Sequence, residues 1–198
     1  MNVSSILKDG TGLGLKNFLS LVGVVILYTL TCWIPYLNVG TTIALICLPA
    51  AMSRGEAISP TEIFAAKYRE NMGNFFLLCV FYTMAIVIGL LFGVIPGIVL
   101  GYAWFIAFLL LVDKGMEPLQ ALAESNKRTN GKKATIFWAF LALGVLYSLA
   151  YLLVGYVCAD KLQVLGAVIT LILSLLYFPI QMGCQAVVYR ELTSDLNS

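Results

Sequence analysis

The chain has 198 residues, 61% of them hydrophobic and 11% charged, with a net charge of +2 and no histidine. A soluble domain is about 45–50% apolar and about 25% charged, so a lipid bilayer suits this surface better than water does. The small net charge gives no reason to expect a nucleic-acid partner, and the missing histidine removes the commonest general base and zinc ligand.

Four stretches carry no Asp, Glu, Lys or Arg: 17–53, 71–112, 134–159 and 162–189. A helix needs about 20 residues to cross the hydrocarbon core. The first two stretches are twice that length, so each must fold back on itself. The first bends at "WIPYLNVG" (33–40) and the second at "GVIPG" (93–97), where proline and glycine interrupt the apolar run. Glycine recurs there at 89, 93, 97 and 101, with Gly89 and Gly93 ending one helix and Gly97 and Gly101 beginning the next. The predicted spans are 17–34, 37–53, 74–94, 97–112, 134–157 and 163–188. The fold expected is all-α: an integral membrane bundle of six transmembrane helices in three hairpins, forming a single domain over 1–198.

Two polar segments between spans read as short interfacial helices, 60–72 and 118–130. The first opens with Ser59, Pro60 and Glu62, the spacing of a capping box, and carries Phe64, Tyr68, Met72 and Phe75 on one face. The second opens at Pro118, has Gln120 at its third position and stops at Gly131. Both fit helices lying among lipid headgroups. Pro60 and Pro118 stand 58 residues apart, as do Gly73 and Gly131, which fits a repeated unit of polar segment plus hairpin.

With six spans, eleven of the twelve Lys and Arg residues fall on one side and only Lys161 on the other. Positive residues mark the cytoplasmic face, so both termini are expected there. Residues 18–34 lack a small-x-small cleavage site, and the first span is expected to remain as an anchor. Cys32, Cys47, Cys79 and Cys184 lie in apolar runs as small hydrophobes, whereas Cys158 stands near a loop where exposure is expected. No pair has C-x-x-C spacing, and no metal or cofactor set is apparent.

Two groups of side chains are candidates for recognition. Lys127, Arg128, Lys132 and Lys133 cluster where anionic lipid headgroups lie, each charge contributing about 1 kcal/mol; the same cluster also serves as a topology signal. Tyr177, Gln181 and Gln185 follow one another at four-residue spacing on the last span, forming a polar groove or hydrogen-bonding to a neighbouring helix. Trp33, Tyr36, Tyr102 and Tyr156 suit interfacial anchoring or packing. Asp113 and Glu117 fit helix caps beside Lys114. No predicted span contains an ionisable pair, so no catalytic residue is assigned.

The block "IPGIVLGYAWFIAFLLLVDKGMEPLQALAESNKRTNGKK" (95–133) resembles a recurring segment of bacterial six-span membrane proteins. These include the membrane domain attached to some glycerophosphodiester phosphodiesterases and free-standing relatives of unknown function. The shared features are the Pro-Gly hairpin, the aromatic-rich span, the "VDKG" turn, and a helix carrying Ser125, Thr129 and Gly131. The chain departs at Asn126, where such relatives often carry tryptophan. The resemblance implies a helical bundle in a bacterial inner membrane and no catalytic residue. The expected role is non-enzymatic, as a scaffold or in envelope lipid handling, with membrane lipids as partners and a homo-oligomer or protein partner also open. The alternative is a passive channel or carrier for a neutral or amphiphilic solute.

Overall fold

The computed structural model describes residues 2–55, 57–158 and 163–196, and among them every regular element is helical. Lys161, the lone positive residue assigned to the far side, lies outside the described residues. The helices are α1 (Val3–Lys16), α2 (Phe18–Thr31), α3 (Pro35–Met52), α4 (Ala66–Glu70), α5 (Met72–Leu91), α6 (Val94–Ala103), α7 (Ala107–Lys114), α8 (Pro118–Thr129), α9 (Lys133–Val157) and α10 (Gln163–Leu192). Short 3₁₀ turns occupy Pro60–Phe64 and Ser194–Leu196. Five units are long and apolar enough to cross a membrane: α3, α5, α6 with α7, α9 and α10. The pair α1–α2, bent by 66°, makes a sixth if it counts as one.

The predicted spans map onto these helices with two departures. The first span starts earlier than its apolar run, because α1 precedes it. The Asn2 amide donates to Ser5 Oγ, whose hydroxyl returns to the Asn2 carbonyl, starting the helix. Asn17 sits at the bend, fully buried. Its side-chain amide donates to the Leu13 carbonyl, and its Oδ1 accepts from the Ile58 amide at 2.9 Å. The second departure is a break at 104–106, which divides the fourth span into α6 and α7.

The bend expected at 93–97 forms slightly earlier, at 92–93, so that Pro96 lies in the first turn of α6; Gly93 is its hinge at φ +141°, a conformation other residues rarely adopt. Gly89 then faces Gly97 closely enough that a Cβ would lie 3.1 Å from the Gly97 Cα, so α5 and α6 are in direct backbone contact. Pro35 begins α3 after the first bend.

The polar segments do not lie free at a surface. Residues 60–72 split into a 3₁₀ turn and α4, and the capping box does not form: Ser59 Oγ pairs with Thr61 Oγ1, while Glu62 is taken by Lys67 and Tyr68. The face with Phe64, Tyr68, Met72 and Phe75 turns inward; Tyr68 and Phe75 are buried and the other two pack on the core. Helix α8 likewise buries Ala121, Leu122, Ser125 and Thr129. Gln120 makes no capping bond there.

The packing is cyclic. The 3₁₀ turn and α4 pack on α2 and α3, the helical pair before them. Helix α8 packs on α5, α6 and α7, the pair before it. Helix α1 packs on α9 and most extensively on α10, the last two helices. That last contact is tight because it is built of small residues. A Cβ on Gly183 would stand 2.1 Å from the Gly10 carbonyl oxygen, and one on Gly14 would stand 2.3 Å from the Pro179 carbonyl oxygen.

Candidate functional site

Helix α8 fixes the broken span. Breaking a helix at 104–106 leaves backbone groups without partners, which is costly in an apolar interior. Ser125 Oγ donates to the Ala103 carbonyl at 2.9 Å and accepts from the Ile106 amide at 3.3 Å. Thr129 Oγ1 donates to the same carbonyl at 3.0 Å. The Ser and Thr of the block 95–133 therefore repair the break, and Gly131 allows the chain to turn out of α8 at φ +74°.

This attachment sets where α9 begins. Ile95 and Lys133 each stand just before their predicted span, and a six-span layout, in which consecutive spans run in opposite directions, places them on opposite faces of the membrane. In the structure both line one groove of about 400 Å³, with Ile98, Val99, Tyr102, Ala134 and Phe137. Because Ser125 and Thr129 hold α8 at the middle of the fourth span, α9 starts beside α6 rather than at the far end of α7. Apart from Lys133 and the Tyr102 hydroxyl, the lining is apolar.

A second groove of about 380 Å³ lies between α5, α6, α9 and α10. It is lined by Tyr82, Gly101, Tyr102, Phe105, Phe140, Tyr177, Gln181 and Gln185. The predicted stripe Tyr177–Gln181–Gln185 thus lines a concave surface. The helix–helix hydrogen bonds expected of it do not form: among the described residues neither glutamine has a hydrogen-bonding partner, while Tyr177 packs its ring against Tyr147 at 4.2 Å between centroids. Tyr102 lines both grooves. Its ring meets Phe137 edge-on at 5.5 Å and stacks on Phe105 at 6.2 Å, and Phe105 in turn touches Phe140 at 5.0 Å. Sequence periodicity found the α10 stripe. It missed Phe105 and Phe140, whose type and setting look like ordinary core.

The four residues of the basic cluster have different partners. Arg128 is committed inward: it pairs with Glu124, the Leu192 carbonyl and both oxygens of Asp195. Those contacts, the Asp195 hydrogen bond first, raise its pKa. Lys127 points outward near Glu124, and Lys133 donates to Asn126 Oδ1 at 2.7 Å. Lys132 makes no side-chain pairing among the described residues. Arg128 is therefore committed to the Glu124 and C-terminal contacts rather than turned outward with Lys127.

A charged network that sequence reading missed lies at the end of α7. Asp113 does not cap a helix. It accepts from Arg54 Nη1 at 2.8 Å and from the Tyr189 hydroxyl at 2.9 Å, with Lys114 at 3.8 Å. Burial works to lower the Arg54 pKa, but the hydrogen bond and attraction of Asp113 outweigh it and raise it. Burial pushes the Tyr68 phenol up, and the nearby Glu62 adds to the rise. Glu117 stands at the α8 N-cap without a side-chain cap bond. Cys158, expected to be exposed, is buried against Gly166, while Trp33, Tyr36 and Tyr156 are the exposed aromatics that were expected.

No protein-family model matches the chain, and neither the curated proteins nor the solved structures contain a match.

Proposed function

We propose that this chain is a non-enzymatic integral membrane protein of a bacterial inner membrane, with six spans, both termini cytoplasmic, and a role in handling envelope lipids. The observation that carries the reading is the apolar groove between α6 and α9. It is lined by Ile95, Ile98, Val99, Ala134 and Phe137 and bordered by Lys133. Apolar side chains exposed on α9, among them Leu141, Val145 and Leu149, suit a bilayer around it. A groove of this volume falls within the range of small-molecule sites, and a lipid acyl chain matches its lining. Lys8, Lys16, Arg54, Lys67, Arg69 and Arg190 support the orientation of the termini; Lys133 is not counted with them, since it lies beside Ile95. The second reading, a passive carrier for a neutral amphiphile, draws on the polar groove beside it.

The test is lipid retention after gentle extraction, followed by native mass spectrometry. Wild type is expected to carry bound lipid. Val99→Trp and Ala134→Trp, which fill the groove, are expected to reduce retention at least fivefold. Equal retention by the filled variants would remove the groove from the function. Solute flux in liposomes that Gln181→Leu abolishes would favour the carrier.

A further inference from the structure

The polar groove contains five side chains with hydrogen-bonding capacity: Tyr82, Tyr102, Tyr177, Gln181 and Gln185. None of them forms a side-chain hydrogen bond with any described residue. Nor is any of their polar atoms sealed away, since no buried side-chain nitrogen or oxygen among the described residues lacks a partner. All five are therefore open to the same space. Gln181 and Gln185 stand about 16 and 10 Å from the end of α10, at 1.5 Å per residue, well inside a helix that is otherwise apolar there.

Unpartnered amides and phenols in an apolar setting are costly unless something hydrogen-bonds to them. The exposed side chains of the flanking helices, Val80 and Met84 on α5 and Leu141 and Val145 on α9, are apolar, so the occupant arrives from the bilayer. No charged side chain lines the groove, so a charged head would lose its hydration without gaining a counter-ion. What remains is an uncharged head rich in hydroxyls. The aromatic lining narrows this further. Phe105, Phe140 and the tyrosine rings offer flat faces, and a sugar ring presents a flat C–H face with hydroxyls around its rim. Each glutamine amide supplies a donor and an acceptor side by side, matching two adjacent hydroxyls.

We propose that this groove binds the neutral sugar head of a glycolipid, with its acyl chain in the apolar groove on the other side of Tyr102. The inference rests on the lipid-handling reading and names the head that the site selects. Tyr102 lines both grooves, so one molecule can occupy both.

The experiment uses the full chain in a detergent without sugar groups, with three lipids of identical acyl chains: glucosyl diacylglycerol, diacylglycerol and phosphatidylglycerol. Binding is measured by native mass spectrometry. The glucosyl lipid is expected to bind about tenfold more tightly than diacylglycerol, the effect of one or two retained hydrogen bonds. Gln181→Leu with Gln185→Leu is expected to abolish that preference while leaving diacylglycerol binding unchanged. Tyr82→Phe, which removes only a hydroxyl, is expected to weaken the preference even if the double variant fails to fold. Octyl glucoside is expected to compete. Equal binding of all three lipids, or a preference for phosphatidylglycerol, overturns the sugar assignment while the lipid-handling reading stands. Binding of none of them overturns both.

Discussion

Asp195 shows how one exposed residue can hold a chain end. Its carboxylate bonds to two nitrogens of Arg128, which also takes the Leu192 carbonyl and Glu124. The Arg128 hydrogen bond lowers the Asp195 pKa below the usual aspartate value. A lowered pKa means the contact is fully present above the unfolded value, about 3.9, and is lost as pH falls through the folded one. The protection of the Thr193 and Leu196 amides, measured as exchange relative to the intrinsic rate at each pH, is therefore expected to fall below about pH 4 in wild type. Asp195→Asn should show the reduced protection already at pH 7, with little further change in protection on acidification. A pH profile identical in the two proteins would dissociate Asp195 from the C-terminal contact. At this scale the sequence is least informative. Arg128 reads as one member of a basic cluster because its partners are as many as 67 positions away. Glu62 reads as a capping residue, but a cation and a phenol reach it first.

At the scale of elements, apolar runs are legible because a charge is costly in hydrocarbon, so its absence over 20 residues points directly to a span. Helix α1 is not legible. It carries Lys8, Asp9 and Lys16, and its glycines disfavour an isolated helix. Those same glycines let it approach α10 closely, which becomes evident only once α10 is in place. The break in the fourth span is also hidden, since residues 104–106 include no proline or glycine. It depends on Ser125 and Thr129 arriving from another helix. Removing both hydroxyls, by Ser125→Ala with Thr129→Val, leaves the Ala103 carbonyl and Ile106 amide without those partners. The expected cost is about 1–3 kcal/mol for each group left unsatisfied, seen as a lower midpoint in thermal unfolding in detergent. The same variant should lose lipid retention, because the break carries Tyr102 and Phe105 into the polar groove. A double variant as stable as wild type would mean water or a re-formed helix replaces the bonds.

For the whole molecule, charge distribution and packing supply different parts of the architecture. The excess of Lys and Arg predicts where the ends lie. In a background with the native cysteines replaced, single cysteines at Ser4 and Ser194 are expected to react with a membrane-impermeant maleimide only in inside-out vesicles. Labelling of one end from each side would require an odd number of crossings and overturn the six-span reading. The period near 58 residues has a counterpart in the packing, where each of the two polar segments rests on the helical pair before it. The polar stripe on α10 is readable from spacing alone, but the concavity it lines is not, because Tyr82, Phe105 and Phe140 reach it from other parts of the chain.

The contact between α1 and α10 also governs the order of assembly. About 170 residues of translation separate α1 from the Gly183–Cys184 surface it rests on. At ribosomal speeds of about 5–20 residues per second, that leaves α1 without its native seat for roughly 10 to 30 s. During that interval Gly10 and Gly14 expose backbone that no neighbour yet covers. An insertase or chaperone acting on this chain would find a long-lived target at α1.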